Sequence, residues 1–189
     1  MDTHLKEQEL ANMTAYHSLV EDSIYWDYLY FRSINNNWLA TSDGIIAHFT
    51  GFKKLVFKNW VLGKMKKRLW NQCLAQGIGK DSPSEVVEKA KKNLKALSIF
   101  LGKKKYLMGK NSTTLDATAF GHLCQIYFTP TNKELYTYME SETRNLVDYI
   151  RNMRDEFWPD WHEATTTLSL QTKPNLSSVD PLASTDLVD

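Results

Sequence analysis

Three observations predict an all-α fold. Apolar residues recur at three- and four-residue steps over long stretches, no stretch alternates apolar and polar residues as a strand does, and several periodic stretches open on capping residues. The chain has 189 residues, 42% of them hydrophobic, which is enough for one domain with a substantial core. Its net charge of +1 gives no global field that would attract nucleic acid, so no nucleic-acid partner is expected.

The first periodic segment spans 5–34. Met13, Tyr16, Val20, Ile24, Tyr28 and Phe31 line one helix face, and Trp26, Leu29 and Tyr30 widen it. Asn35, Asn36 and Asn37 end it, because consecutive Asn favour turns, and Asp43-Gly44 marks another turn. A second helix is predicted over 52–74. The third opens on Ser82-Pro83-Ser84-Glu85, a Ser cap with Pro at the first helical position and Glu at the third. Val87, Ala90, Leu94, Leu97 and Leu101 form its apolar face, and Gly102 ends it.

The fourth helix opens on Thr113-Thr114-Leu115-Asp116, which has capping-box spacing. The Thr113 hydroxyl is placed to accept from the Asp116 amide, and the Asp116 carboxylate to reach back to the Thr113 amide. Asp116 also suits the positive helix end. No hydrophobic staple accompanies the cap, since Ser112 and Ala117 hold the staple positions. Residues 117–128 are apolar nearly all round, as in a central buried helix. Thr118, His122 and Gln125 share one polar stripe on it. They either line a cleft or hydrogen-bond inside the core, the usual fate of buried polar groups. A fifth helix opens at Thr131-Asn132-Lys133-Glu134. The last carries Leu146, Ile150, Met153 and Phe157 on one face and closes at Pro159. The domain is placed at 1–163. A Ser/Thr-rich tail without periodicity follows at 164–189 and reads as disordered.

Catalytic, cofactor and metal assignments are none. His4, His17, His48 and His162 lack metal-ligand spacing, and no GxSxG motif occurs. Cys73 and Cys124 form no CxxC and read as core thiols, consistent with a reducing, cytoplasmic setting. No apolar run reaches the ~18 residues of a membrane span. The most unusual surface feature is basic. No acidic residue occurs between Asp43 and Asp81, whereas Lys53, Lys54, Lys58, Lys64, Lys66, Lys67 and Arg68 interleave there with Phe52, Leu55, Phe57 and Trp60. Three readings fit: weak contact with an anionic membrane, docking of an acidic protein partner, or the solvated face of a core helix.

The order of these motifs resembles a known fold. An S/T-x-x-D cap opening a buried central helix, within LGKKKYLMGKNSTTLDATAFGHL, is similar to the C-terminal helical domain of glutathione transferases. TTLDATAFGHLCQIYFTP, NLVDYIRNMRDEFWPDW and LVEDSIYWDYLYFR resemble the failed axon connections family, a relative of the metaxins. The resemblance covers 5–161. It leads one to expect Pro immediately before NLVDY, where Arg144 stands. It also implies an N-terminal thioredoxin-like domain, of which this chain shows no strand pattern, so the expected architecture is the helical domain without that half. The function implied is a non-enzymatic scaffold connected with axon development, binding a protein of unknown identity. Two alternatives stand beside it: a glutathione-dependent transferase that needs an upstream thioredoxin-like domain, and a metaxin-like component at the mitochondrial outer membrane. Without the thioredoxin-like half, a patch including some of Tyr25, Trp26, Leu29 and Tyr30 is expected to be uncovered, favouring self-association.

Overall fold

The computed structural model describes residues 2–3, 5–35, 46 and 49–166. In chain order the helices are α1 (Glu7–Leu19), α2 (Tyr25–Ile34), α3 (Gly51–Val56), α4 (Leu62–Gln76), α5 (Pro83–Leu101), α6 (Thr114–Tyr127), α7 (Lys133–Glu142), α8 (Arg144–Phe157) and α9 (Trp161–Thr166). The described residues form no sheet. Their one bridge, Tyr106 with Gly109, closes a turn.

The first two stretches predicted as single helices, 5–34 and 52–74, each contain a π turn, Val20–Ile24 between α1 and α2 and Phe57–Val61 between α3 and α4. The first expected face holds in its C-terminal half. Val20, Ile24, Tyr28 and Phe31 are buried, whereas Tyr16 is half-buried and stacks on Phe100. Leu29 and Tyr30 are buried too, so of the four residues from which an uncovered patch was expected to draw, only Tyr25 and Trp26 keep partial exposure. α4 packs against α2 and covers Leu29 and Tyr30, bringing Trp70 to Tyr30.

Gly77 closes α4 at φ +112, a left-handed conformation that a side chain resists. α5 has the predicted Ser82 cap, its amide donating to Glu85 at 2.7 Å. The buried row Val87, Ala90, Leu94, Leu97 and Leu101 then packs on α2, α7 and α8. α6 is the central helix, in contact with α1, α2, α7 and α8. Only Ala117 and Gly121 of its interior positions are exposed.

Details at the last three helices differ from expectation. α7 is capped by Asn132, which accepts from the Leu135 amide at 3.0 Å, one residue beyond the predicted Thr131. Arg144 opens α8 after a one-residue break at buried Thr143, and its guanidinium pairs with Glu140 of α7 across that break and with Asp148 within α8. Phe157 is 45% exposed rather than on the core face, and Trp158, itself 40% exposed, stacks on Phe120 at 4.6 Å. α9 runs across the 163/164 boundary to Thr166. The rest of the expected tail, Asn36, Asn37 and the Asp43-Gly44 turn lie outside the described residues.

One buried charge crosses the α2–α5 contact. Asp27 is 2% exposed and accepts from the Asn93 amide group at 2.7 Å. Burial pushes its carboxyl up to about 6, against the Asn93 hydrogen bond and the nearby Lys89, which favour the ionised form. A folded-state pKa above the unfolded value means that the native state binds the proton more tightly. Stability is therefore highest below about pH 4 with respect to this group and falls as pH rises to about 6. Asp27→Asn keeps an acceptor for Asn93 and removes the titration. We expect it to raise stability at pH 7.5 by up to ~3 kcal/mol and to flatten the pH 4–6 dependence. Urea melts at several pH values check this, and a wild-type slope retained in the variant would contradict it.

Candidate functional site

The most highly connected polar group is Asp116, at the third position of α6, and it is fully buried. Of the expected capping box the carboxylate arm is in place, whereas the Asp116 amide donates to the Thr113 carbonyl at 3.1 Å and not to its hydroxyl. Oδ2 accepts from the Thr113 amide at 2.8 Å and from the Thr113 hydroxyl at 2.7 Å. Oδ1 accepts from the Leu107 amide at 2.8 Å and from the Tyr149 hydroxyl of α8 at 2.9 Å. Leu107 is aimed at Asp116 by the turn in which Tyr106 and Gly109 exchange two backbone hydrogen bonds of 3.0 Å. Gly109 takes φ +132 there, a conformation open to glycine. Burial and the adjacent Asp116 carboxylate push the Tyr149 phenol up, so it stays a proton donor. The cap was legible in the sequence. The Leu107 and Tyr149 partners lie 9 and 33 residues away from Asp116, and no local spacing signals them.

The Thr118, His122 and Gln125 stripe of α6 meets the first two helices. His122 Nδ1 lies 3.2 Å from the Tyr28 hydroxyl, and Nε2 lies 3.2 Å from the Glu21 carboxylate. Arg32 donates to Gln125 at 2.5 Å and to Thr129 at 2.9 Å, and Thr118 lies 3.4 Å from His17. An acid, an imidazole and a hydroxyl in line is a shape that catalysis uses. Here the hydroxyl is buried, and burial pushes its phenol up to about 12. The set therefore acts as a strut between helices. Cys73 and Cys124 are both buried. Burial raises both thiols, Cys124 to about 12, which opposes thiolate formation. Among the described residues no His, Cys, Asp and Glu cluster could hold a metal ion. His4 and His48 lie outside the described residues. Between α2 and α5 an open cleft of about 440 Å³ carries Trp26, Asp27 and Asn93, with Asp81 closed by Lys89 at 2.5 Å.

The basic segment is built differently from the core. Lys53, Lys54, Lys58, Lys64, Lys66, Lys67 and Arg68 are all exposed. So are Phe52 at 78%, Trp60 at 59% and Leu55 at 57%. The buried edge, Phe57 and Leu62 with half-buried Val61, packs on Ile46 and Phe49 in a small cluster separate from the main core. Over 51–61 the segment thus packs on this small second cluster and not on the main core. α4 does pack on the core, through Leu69, Trp70 and Cys73. Among the described residues no helix is long and apolar enough to cross a membrane.

Residues 90–153 match the family described as glutathione S-transferase, C-terminal domain. That window contains Leu107, Thr113, Asp116 and Tyr149 and leaves out the basic segment. The chain is 29% identical over 184 residues to Failed axon connections of Drosophila melanogaster, covering 90% of this chain and 43% of that one. It is 30% identical over 158 residues to human metaxin-2, covering 82% of this chain and 59% of that one. It is 27% identical over 160 residues to the isoprene-epoxide–glutathione S-transferase of Rhodococcus sp. strain AD45, covering 83% of this chain and 65% of that one. The chain thus spans about half the length of the curated relatives it matches. No solved structure matches.

Loss of the Asp116 carboxylate would strand two buried amides and the buried Tyr149 hydroxyl, at ~1–3 kcal/mol each. Asp116→Ala is expected to cost ~4 kcal/mol or more on that basis, and Thr113→Ala and Tyr149→Phe ~1 kcal/mol each. Denaturant melts give the order. An Asp116→Ala loss no larger than that of Thr113→Ala would contradict the network.

Proposed function

We propose that this chain, a glutathione transferase C-terminal-type helical domain related to Failed axon connections and the metaxins, is a non-enzymatic docking module. In this reading the Asp116-centred bundle is the scaffold and the 51–68 face meets the partner. The setting is the cytoplasm and the role is connected with axon development, by likeness to Failed axon connections. The observation that carries the reading is the exposure of Phe52, Leu55 and Trp60 among seven exposed basic residues. Exposed apolar side chains grouped within a polar rim are a signature of contact surfaces. The commitments of the interior polar groups add support, since Asp116 and His122 serve interhelical contacts and the thiols are raised by burial.

A second reading, part of a glutathione-dependent transferase, is favoured by the similarity to the isoprene-epoxide enzyme. Calorimetric titration of the chain with glutathione separates the two, together with conjugation of a standard electrophile. Neither heat of binding nor conjugation above background is expected. A saturable isotherm or measurable turnover would favour the enzyme.

A further inference from the structure

We propose that the 51–68 face docks on an anionic lipid bilayer, with Phe52, Leu55 and Trp60 entering the interfacial layer and the lysines around them meeting the headgroups. The inference rests on the docking reading above and names its occupant.

Three observations select a bilayer. The first is shape. Phe52, Leu55, Val56 and Trp60 recur at three- and four-residue steps, so they form one edge of α3 and the π turn that follows it. Phe57 and Leu62 hold the opposite edge to the small cluster with Ile46 and Phe49. One apolar edge is thus satisfied locally, and the other projects into solvent as a convex ridge. A bilayer accepts such a ridge from an amphipathic helix lying in its plane.

Charge is the second. No acidic residue lies between 44 and 80, so the local field has one sign although the whole chain carries only +1. The Lys64 ammonium sits 3.6 Å from the Trp60 ring centroid, placing a cation and an interfacial aromatic at the same height.

The third is the kind of cation. Six of the seven basic residues, Lys53, Lys54, Lys58, Lys64, Lys66 and Lys67, are lysines, and Arg68 is the single arginine. Lysine is a mobile point charge, whereas fitted pairing with protein carboxylates favours the planar guanidinium fork. A diffuse anionic surface suits this set better than an acidic protein does.

The expected binding is weak and reversible. Each basic residue near an anionic leaflet is worth about a fivefold change in partitioning, over a range of about 8 Å at physiological salt. The seven spread around a helix, so only part of the set meets one plane.

Flotation of the full chain with vesicles tests the proposal. One set is phosphatidylcholine alone, and the other contains a quarter phosphatidylserine, each at low and high salt. Two variants accompany the wild type, both confined to exposed positions: Phe52→Ser/Leu55→Ser/Trp60→Ser, and Lys53→Gln/Lys54→Gln/Lys58→Gln/Lys64→Gln. Circular dichroism melts establish that each is folded. Wild type is expected to float with the anionic vesicles at low salt only, and both variants to bind at least about tenfold more weakly. Absence of wild-type binding, equal binding to both vesicle types, or binding that the lysine variant retains would overturn the proposal. A neutral hydrophobic dye separates it from the docking reading. If dye binding falls in the Ser variant while wild type ignores vesicles, the lipid assignment fails and the face belongs to a protein or a second copy of the chain. If the Ser variant binds dye as wild type does, the docking reading fails as well.

Discussion

The four donors gathered on the Asp116 carboxylate are the constraint on which the rest of the bundle depends. Two are backbone amides that helix geometry cannot satisfy: Thr113, before α6 begins, and Leu107, in the loop that leaves α5. A third, the Tyr149 hydroxyl, comes from α8. One side chain therefore sets where α6 starts, where the preceding loop turns inward and how α8 lies across both. Buried groups of this kind are stabilising only when every member is paired. The neighbouring contacts show the same economy: Asn145 at the start of α8 donates to the Ser98 and Gly102 carbonyls at the end of α5, and Arg151 reaches the Tyr127 hydroxyl of α6 at 2.6 Å.

Against this fixed frame the segment before α4 stands apart. The core helices exclude water from Leu94, Leu97, Leu115, Leu123 and Ile150, each fully buried. α3 and the π turn after it instead rest on a cluster of a few side chains and leave Phe52 and Trp60 in solvent. A chain that buries Leu29 and Tyr30 beneath α4 yet exposes Phe52 spends its hydrophobic surface unevenly. In the docking reading, the projecting ridge is the contact surface and the bundle is its support.

Local signals were legible in the sequence, and long-range ones were not. The Ser82 and Thr113 caps, the apolar row of α5 and the nearly all-apolar α6 follow from spacing alone, and the structure has each of them. The two π turns were not readable, because one extra residue per turn shifts the helical phase without changing composition. Phe157 was misplaced for a related reason: the chain leaves α8 there, and Trp158 becomes the residue that reaches Phe120. Tyr149 and Leu107 as partners of Asp116, and Asn93 as partner of Asp27, depend on the way the helices cross. The basic run was visible as composition, but whether its aromatics faced a core or solvent depended on where α4 begins to pack.

Amide hydrogen exchange at Leu107 and Thr113 tests the central claim most directly. Both lie outside helices, where amides ordinarily exchange through local opening. If the Asp116 carboxylate holds the bundle together, the two amides exchange only when the whole domain unfolds, as slowly as those of Leu123 and Ile150 in the buried helices. Exchange as fast as at exposed Asn111 in the same loop would show that the carboxylate is a local cap and that the bundle stands without it.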